Sequence, residues 1–125
     1  MINVRKMLRS FGYAVEGVVA LFRYENNARF HLLAALVVVI AGIIIGLTYL
    51  DWVIIVIVIG GVWAAEAFNT AIEKLCDVVS PSIHPQIKAV KDLAAAGVLI
   101  MAGTAALTGV IIFGKAIITS FSFTF

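Results

Sequence analysis

Charged residues are scarce in this chain of 125 residues, of which 63% are hydrophobic and only 13% are charged. Ordinary soluble domains contain about 25% charged residues, so the composition excludes that class and indicates an integral membrane protein. A single cysteine, Cys76, excludes an internal disulfide framework. The length predicts one domain over residues 1–125.

The motifs that most often bind nucleotides or metals are also missing. The chain has no Gly-x-x-x-x-Gly-Lys-Ser/Thr loop, no Gly-x-Gly-x-x-Gly turn before a helix and no Cys/His cluster with zinc spacing. Residues 1–9 lead into a mixed polar and apolar segment, which is not the pattern of a cleavable signal peptide.

Long apolar segments predict an all-α membrane protein with three transmembrane helices. A spanning helix requires about 20 apolar residues, and we expect spans at about 32–50, 52–75 and 93–113. An amphipathic surface helix is expected before them, at about 4–27, because its charged residues share one side. The interval 78–87 contains both prolines and is expected to form a polar loop.

Basic residues lie almost entirely on one side of the predicted spans. They precede the first span or flank the loop after the second, and none occurs in the first connection. These residues are Arg5, Lys6, Arg9, Arg23, Arg29, Lys74, Lys88 and Lys91. By the positive-inside rule, the N-terminus and the loop at Pro81 face the cytoplasm.

Acidic and amide side chains share one face of the second predicted span. At about 100° per residue, Glu66, Asn69, Thr70, Glu73 and Asp77 project within a wedge of about 100°. A carboxylate in a spanning segment is costly and usually marks a functional site, and clustered carboxylates suit Mg²⁺. One such residue alone is as well explained by helix packing, and Asp77 lies near enough to water to be simply solvated.

Further groups suited to phosphoryl transfer lie near this face. Lys91 and Asp92, at the start of the third span, add a cation for phosphate and another acid, and Glu66 is suited to accept a hydroxyl proton. Lys91 is also explained as a residue reaching toward lipid headgroups. Glu25 points away from the polar side of the surface helix, so either the helix has ended there or Glu25 faces a partner.

Three motifs occur in the second half of the chain: Glu66 through Glu73 with Asp77, Ser80-Pro81 with His84-Pro85, and Lys91-Asp92. Together they resemble the signature of the prokaryotic diacylglycerol kinase family, which includes the undecaprenol kinases of Gram-positive bacteria. The resemblance extends from Gly12-Tyr13 to about Gly103. It implies a small homotrimeric enzyme of the bacterial cytoplasmic membrane, with its active site facing the cytoplasm, that transfers the γ-phosphate of MgATP to a lipid alcohol.

The resemblance also implies roles for individual residues. Glu66 takes the position of the catalytic base, and Glu25 and Glu73 take those of the acids that hold the metal. The implied ATP-binding residues are Lys6, Tyr13, Glu25, Asn69, Glu73, Asp77, Ser82, Ile83, His84, Lys91 and Asp92. The expected cofactor is Mg²⁺, and the expected partners are ATP, a lipid alcohol, membrane lipids and two further copies of the chain, without nucleic acid.

The segment after Glu25 bears on the lipid substrate. Its Asn-Asn-Ala-Arg29-Phe-His31 sequence is similar to the Asn-x-Arg-x-His pattern of the undecaprenol branch, whereas the diacylglycerol branch has a second acid at the position of His31. We therefore expect Glu66, Arg29 and His31 to bind the lipid substrate. Undecaprenol is the expected substrate and diacylglycerol is the alternative.

Two readings outside the kinase class also account for part of the sequence. A small proton-coupled transporter would use Glu66 as its proton carrier, but it would need neither Glu25 nor Lys91 and Asp92. A noncatalytic assembly subunit would use the small residues of the third span, such as Ala102 and Ala106, for helix packing. That reading leaves the acidic residues without a role.

Overall fold

The computed structural model describes residues 3–80, 82 and 84–122. Within these residues the chain forms four helices, namely α1 (Val4–Tyr24), α2 (Asn26–Ile45), α3 (Tyr49–Val79) and α4 (Pro85–Ser122). The last three are long and apolar enough to cross a membrane. The predictions of an all-helical fold and of three helices able to span a membrane are confirmed, and these helices fit a multi-pass membrane protein.

The corner between α1 and α2 lies at Glu25. α1 ends at Tyr24, and Glu25 has an extended backbone with φ −97° and ψ 119°. Arg29 from the first turn of α2 donates hydrogen bonds to the backbone oxygens of Phe22, at 3.0 Å, and Arg23. These bonds satisfy carbonyl groups that the end of a helix leaves unpaired. The helix therefore stops before the predicted boundary at 27, and Glu25 lies outside it.

The connection between α2 and α3 is very short and is determined by two local motifs. Gly46 ends α2 with φ 76°, a left-handed conformation that favours glycine, and its N–H bonds to the carbonyl of Gly42 at 3.0 Å. Thr48 and Asp51 then form a capping box that starts α3. The chain turns at 46–48, slightly earlier than predicted, and Asp51 belongs to α3.

The protein core lies mainly between α3 and α4. The buried residues of α3 recur at spacings typical of one side of a helix. They are Asp51, Ile55, Val62, Glu66, Asn69, Thr70 and Cys76. The end of the flexible Met101 side chain of α4 lies over Gly61 of α3, in space that a Cβ atom would occupy. The buried side of α3 is unusual for a spanning helix because it includes four polar residues.

An ion pair joins α3 to α4 near each end of α3. Lys91 contacts Asp77 at the end near the predicted polar loop, and Lys115 lies 2.7 Å from Asp51 at the other. The two acids are about 39 Å apart along the helix at about 1.5 Å per residue. The pairs therefore fix the register of the two helices at widely separated points.

Large apolar side chains are mostly exposed, as Phe11 on α1, Ile44 on α2 and Leu99 on α4 illustrate. Lipid contact or contact with further copies of the chain would cover such a surface. The homotrimer and the location of α1 at the membrane surface stay predictions.

Candidate active site

Glu66 is the most deeply buried charged residue among those described, with 1% of its surface exposed. It lies on the core side of α3, where its Oε1 is 3.3 Å from Nε2 of His31 on α2. This oxygen makes no well-aligned hydrogen bond with the described residues. A buried carboxylate that lacks full pairing is costly, so its presence within a spanning helix indicates a functional role.

Two further carboxylates lie within electrostatic range of Glu66. Glu73 follows it two turns later on α3, and Glu25 approaches from the corner between α1 and α2, and both repel its charge. Glu25 also pairs with Lys74, with its Oε1 at 3.4 Å from Nζ. Both alternatives for Glu25 therefore hold. α1 ends before this residue, and its carboxylate faces Lys74 of α3.

Asn69 connects the buried side of α3 to Glu73. Its Nδ2 donates a hydrogen bond to Oε1 of Glu73 at 3.1 Å, one helical turn further on. Its Oδ1 is buried without a hydrogen-bond partner among the described residues. Asn69 thus presents an unpaired amide oxygen beside the Glu73 carboxylate.

The prediction that Glu25 and Glu73 hold magnesium stays a prediction. Among the described residues, no group of three or more His, Cys, Asp or Glu side chains is arranged to hold a metal ion by itself. Mg²⁺ in nucleotide sites is typically held by one or two carboxylates and by the phosphates, and it keeps several waters. Glu25 and Glu73 match that requirement, and the unpaired Oδ1 of Asn69 adds a neutral oxygen.

The two residues of the Lys91-Asp92 motif have different partners. Lys91 contacts Asp77 across the α3–α4 interface, and it is also attracted by Glu73. Asp92 instead pairs with Lys88 one turn earlier on α4, at 2.5 Å. Adjacent residues on a helix point about 100° apart, so only Lys91 is directed toward the acidic face of α3.

The α1 candidates lie apart from this cluster in the single chain. Lys6 and Tyr13 are exposed on α1, and no hydrogen bond or ion pair joins their side chains to the described carboxylates. Arg29 is directed to the end of α1, not to Glu66. The structure therefore brings Glu66 together with His31 and leaves Arg29 elsewhere.

The candidates before α4 make local contacts. The carbonyl of Ser82 accepts a hydrogen bond from Oγ of Ser80 at 3.1 Å. Nδ1 of His84 accepts one from the N–H of Gln86 at 3.2 Å, which pairs a backbone donor in the first turn of α4. Ile83 lies outside the described residues.

An apolar groove of about 520 Å³ runs between α2, α3 and α4. Its lining includes His31, Val38, Ile55, Trp63, Ala106 and Phe113. His31, which contacts Glu66, and Trp63, three residues before Glu66 on α3, line one end of the groove. Ile55 of α3 and Phe113 of α4 line it farther from Glu66. Nε1 of Trp63 is buried without a partner among the described residues. The groove thus leads along the apolar helices toward the buried acid.

Sequence reasoning did not identify Trp63 or Lys74 as part of this region. Trp63 packs edge-on against Phe22 of α1, with ring centroids 5.3 Å apart, and Lys74 pairs with Glu25. Both contacts join different helices, so no spacing within one helix could have indicated them.

Comparison with known proteins places these features in a family. The sequence model for prokaryotic diacylglycerol kinase matches residues 12–113. The undecaprenol kinase of Bacillus subtilis (strain 168) is 37% identical over 111 residues, which cover 89% of this chain and 90% of that protein.

Two relatives named diacylglycerol kinase are also similar. The one from Sinorhizobium sp. is 36% identical over 91 residues, covering 73% of this chain and 66% of the relative. The one from Synechocystis sp. is 33% identical over 104 residues, covering 82% of this chain and 59% of the relative. Since the family match includes most of the sequence, the chain belongs to the prokaryotic diacylglycerol kinase family and is a lipid kinase.

Proposed function

We propose that this lipid kinase transfers the γ-phosphate of ATP to undecaprenol at the cytoplasmic face of a bacterial cytoplasmic membrane. The observation that carries the proposal is the position of Glu66, which is buried beside His31, a residue that lines an apolar groove. Glu25 and Glu73 act on the same carboxylate. A route for an isoprenoid chain and a group of metal-binding acids thus converge on one proton acceptor.

The nucleotide side of the site consists of Glu25, Glu73, Asn69 and Lys91. Glu25 and Glu73 would hold Mg²⁺, which would neutralise phosphate charge when MgATP is bound. Asn69 fixes the orientation of the Glu73 carboxylate through its hydrogen bond. Lys91 lies within attraction of Glu73 and supplies a positive charge for the phosphates.

Glu66 is the group that finally accepts the proton of the lipid hydroxyl. As that proton leaves, the hydroxyl oxygen forms its bond to the γ-phosphorus and the bond from phosphorus to the departing ADP oxygen breaks. Burial of Glu66 keeps bulk water away from the proton acceptor. The site therefore favours transfer to a lipid over hydrolysis of ATP.

Undecaprenol is the proposed acceptor for two reasons. The match to the relative named undecaprenol kinase covers 90% of that protein. In addition, His31, which distinguishes the undecaprenol pattern, contacts Glu66. Diacylglycerol is the alternative acceptor, in line with the names of the other two relatives.

A homotrimer would complete the nucleotide site. Lys6 and Tyr13 are exposed on α1 and are not bonded to the described carboxylates of the same chain. Contacts between copies would also cover exposed apolar side chains such as Ile44. We therefore propose that α1, at the membrane surface, contributes to the site of a neighbouring copy.

A phosphate-transfer assay tests the function directly. Purified protein in one detergent is supplied with radiolabelled ATP and with undecaprenol, diacylglycerol or no lipid, each with and without Mg²⁺. We expect labelled lipid only when Mg²⁺ and a lipid alcohol are both present, with the faster rate on undecaprenol. Glu66→Gln should abolish transfer without changing the oligomer size, and retained turnover in that variant would remove Glu66 from its proposed role.

The same preparation separates the kinase from the two other classes. A proton-coupled transporter would not require nucleotide, so saturable MgATP binding in isothermal titration calorimetry contradicts it. A noncatalytic assembly subunit would give no labelled product with any lipid.

A further inference from the structure

Glu66 is buried too deeply to be the first group that a lipid hydroxyl meets. Only 1% of its surface is exposed, and it does not line the groove between α2, α3 and α4. A second groove of about 510 Å³, lined by α1 and α3 residues including Gly17, Trp63 and Lys74, also excludes it. A hydroxyl arriving through either groove therefore stops short of the carboxylate.

His31 occupies the position between the first groove and Glu66. It lines that groove, and its side chain is 19% exposed against 2% for the side chain of Glu66. Its Nε2 lies 3.3 Å from Oε1 of Glu66 without the alignment of a hydrogen bond, and catalytic contacts of this kind tighten when substrate binds. One ring thus both faces the groove and contacts the buried acid.

The chemistry of the imidazole ring suits this position. The neutral tautomer of His31 that carries its proton on Nε2 is the one able to donate to the carboxylate. The other nitrogen, Nδ1, is then an acceptor. A neutral histidine with one donor and one acceptor is able to pass a proton from one side of the ring to the other.

We propose that His31 relays the proton of the lipid hydroxyl to Glu66, an inference that rests on the proposed kinase function. The hydroxyl gives its proton to Nδ1 of His31 while Nε2 gives its own to Oε1 of Glu66. The hydroxyl oxygen bonds to the γ-phosphorus as ADP leaves. The net result is that one proton moves from the alcohol to Glu66. His31 stays neutral, and its proton is on Nδ1 instead of Nε2.

Glutamine at position 31 distinguishes a relay from simple positioning of Glu66. The amide of His31→Gln can donate a hydrogen bond to the carboxylate but cannot pass a proton on. General base catalysis contributes about 10²- to 10⁴-fold, so we expect the kcat of His31→Gln to fall at least 100-fold while the Kd for ATP stays unchanged. Thr104→Val, which removes a hydroxyl bonded only within α4, serves as the control with unchanged kcat.

Chemical rescue provides the second measurement. His31→Gly leaves a space of imidazole size next to the groove, and added imidazole should raise the kcat of this variant at least tenfold. Imidazole should not restore Glu66→Gln, which lacks the final acceptor. Near-normal kcat in His31→Gln, or no rescue of His31→Gly, would overturn the relay.

These outcomes separate the relay from the function on which it rests. If the wild-type protein phosphorylates no lipid alcohol, the proposed kinase function fails and the relay fails with it. If the wild type is active, Glu66→Gln is inactive and His31→Gln remains active, the kinase stands and the relay alone is wrong.

Discussion

The side-chain amide of Asn69 donates a hydrogen bond of 3.1 Å to Oε1 of Glu73, one turn further along α3. Asn69 is buried and Glu73 is half-buried. The bond therefore determines which way one of the proposed metal-binding carboxylates is oriented. It also leaves Oδ1 of Asn69 without a partner among the described residues.

Loss of this bond should impair catalysis with little effect on the fold. A hydrogen bond to a charged group contributes about 1.5–3 kcal/mol, so we expect Asn69→Ala to lower kcat/KM for ATP about 10- to 100-fold. Steady-state rates of ADP release with saturating lipid measure the change. Asn69→Asp should not restore the rate, because it sets a second carboxylate against Glu73. A value for Asn69→Ala within twofold of wild type would contradict the role given to this bond.

Loss of either proposed metal-binding acid should raise the Mg²⁺ concentration that activity requires. Glu25→Gln and Glu73→Gln each replace a negatively charged ligand of the proposed Mg²⁺ with a neutral amide. The Mg²⁺ concentration for half-maximal activity should therefore rise about tenfold or more. Titration of activity with Mg²⁺ at fixed ATP measures the shift. Glu16→Gln, a matched change at an exposed position of α1, should leave the midpoint unchanged. Equal midpoints for all three variants would refute the assignment.

Lys91 and Lys88 form a matched pair for testing the phosphate contact. Lys91 faces Asp77 and Glu73 of α3, whereas Lys88 is exposed and pairs within its own helix. We expect Lys91→Met to weaken ATP binding at least tenfold in calorimetry, because it removes the cation nearest the acidic face. Lys88→Met should change the Kd less than twofold. The reverse ranking would show that the phosphate contact lies on the other side of α4.

The ion pair between Asp51 and Lys115, near the start of α3, should contribute to stability and not to nucleotide binding. Asp51 is 4% exposed and is bonded to Thr48 and Lys115, so removal of Lys115 leaves a poorly paired buried charge. We expect Lys115→Met to lower the Tm by several degrees without changing the Kd for ATP.

A double-mutant cycle checks that prediction. Asp51→Asn should recover part of the stability lost in Lys115→Met, because the neutral amide no longer needs a cation. Additive losses in thermal unfolding of the two single variants would show that the pair contributes nothing.

The acidic face of α3 was predictable because its residues belong to one helix. Helical periodicity alone put Glu66, Asn69 and Glu73 on one side, and the structure places the first two on the buried side with Asn69 bonded to Glu73. The pairing of Lys88 with Asp92 also follows from spacing, since residues four apart on a helix are neighbours. Their contributions to catalysis stay predictions.

Contacts between helices were not predictable in this way. The approach of His31 to Glu66 and of Lys74 to Glu25 depends on how far α2 and the α1 corner slide along α3. No local pattern specifies that register. The end of α1 at Tyr24 likewise depends on Arg29 turning back to pair its last carbonyls, which is a contact across the corner.

The ionic links at both ends of α3 also bear on how the protein adapts to bilayers of different thickness. Asp77 with Lys91 and Asp51 with Lys115 pin α4 to α3 at two distant points, so neither helix can shift lengthwise past the other without separating opposite charges. Tilting of the two helices together, one of the ways in which a spanning protein accommodates a bilayer of different thickness, would preserve the spacing between the acidic face of α3 and Lys91.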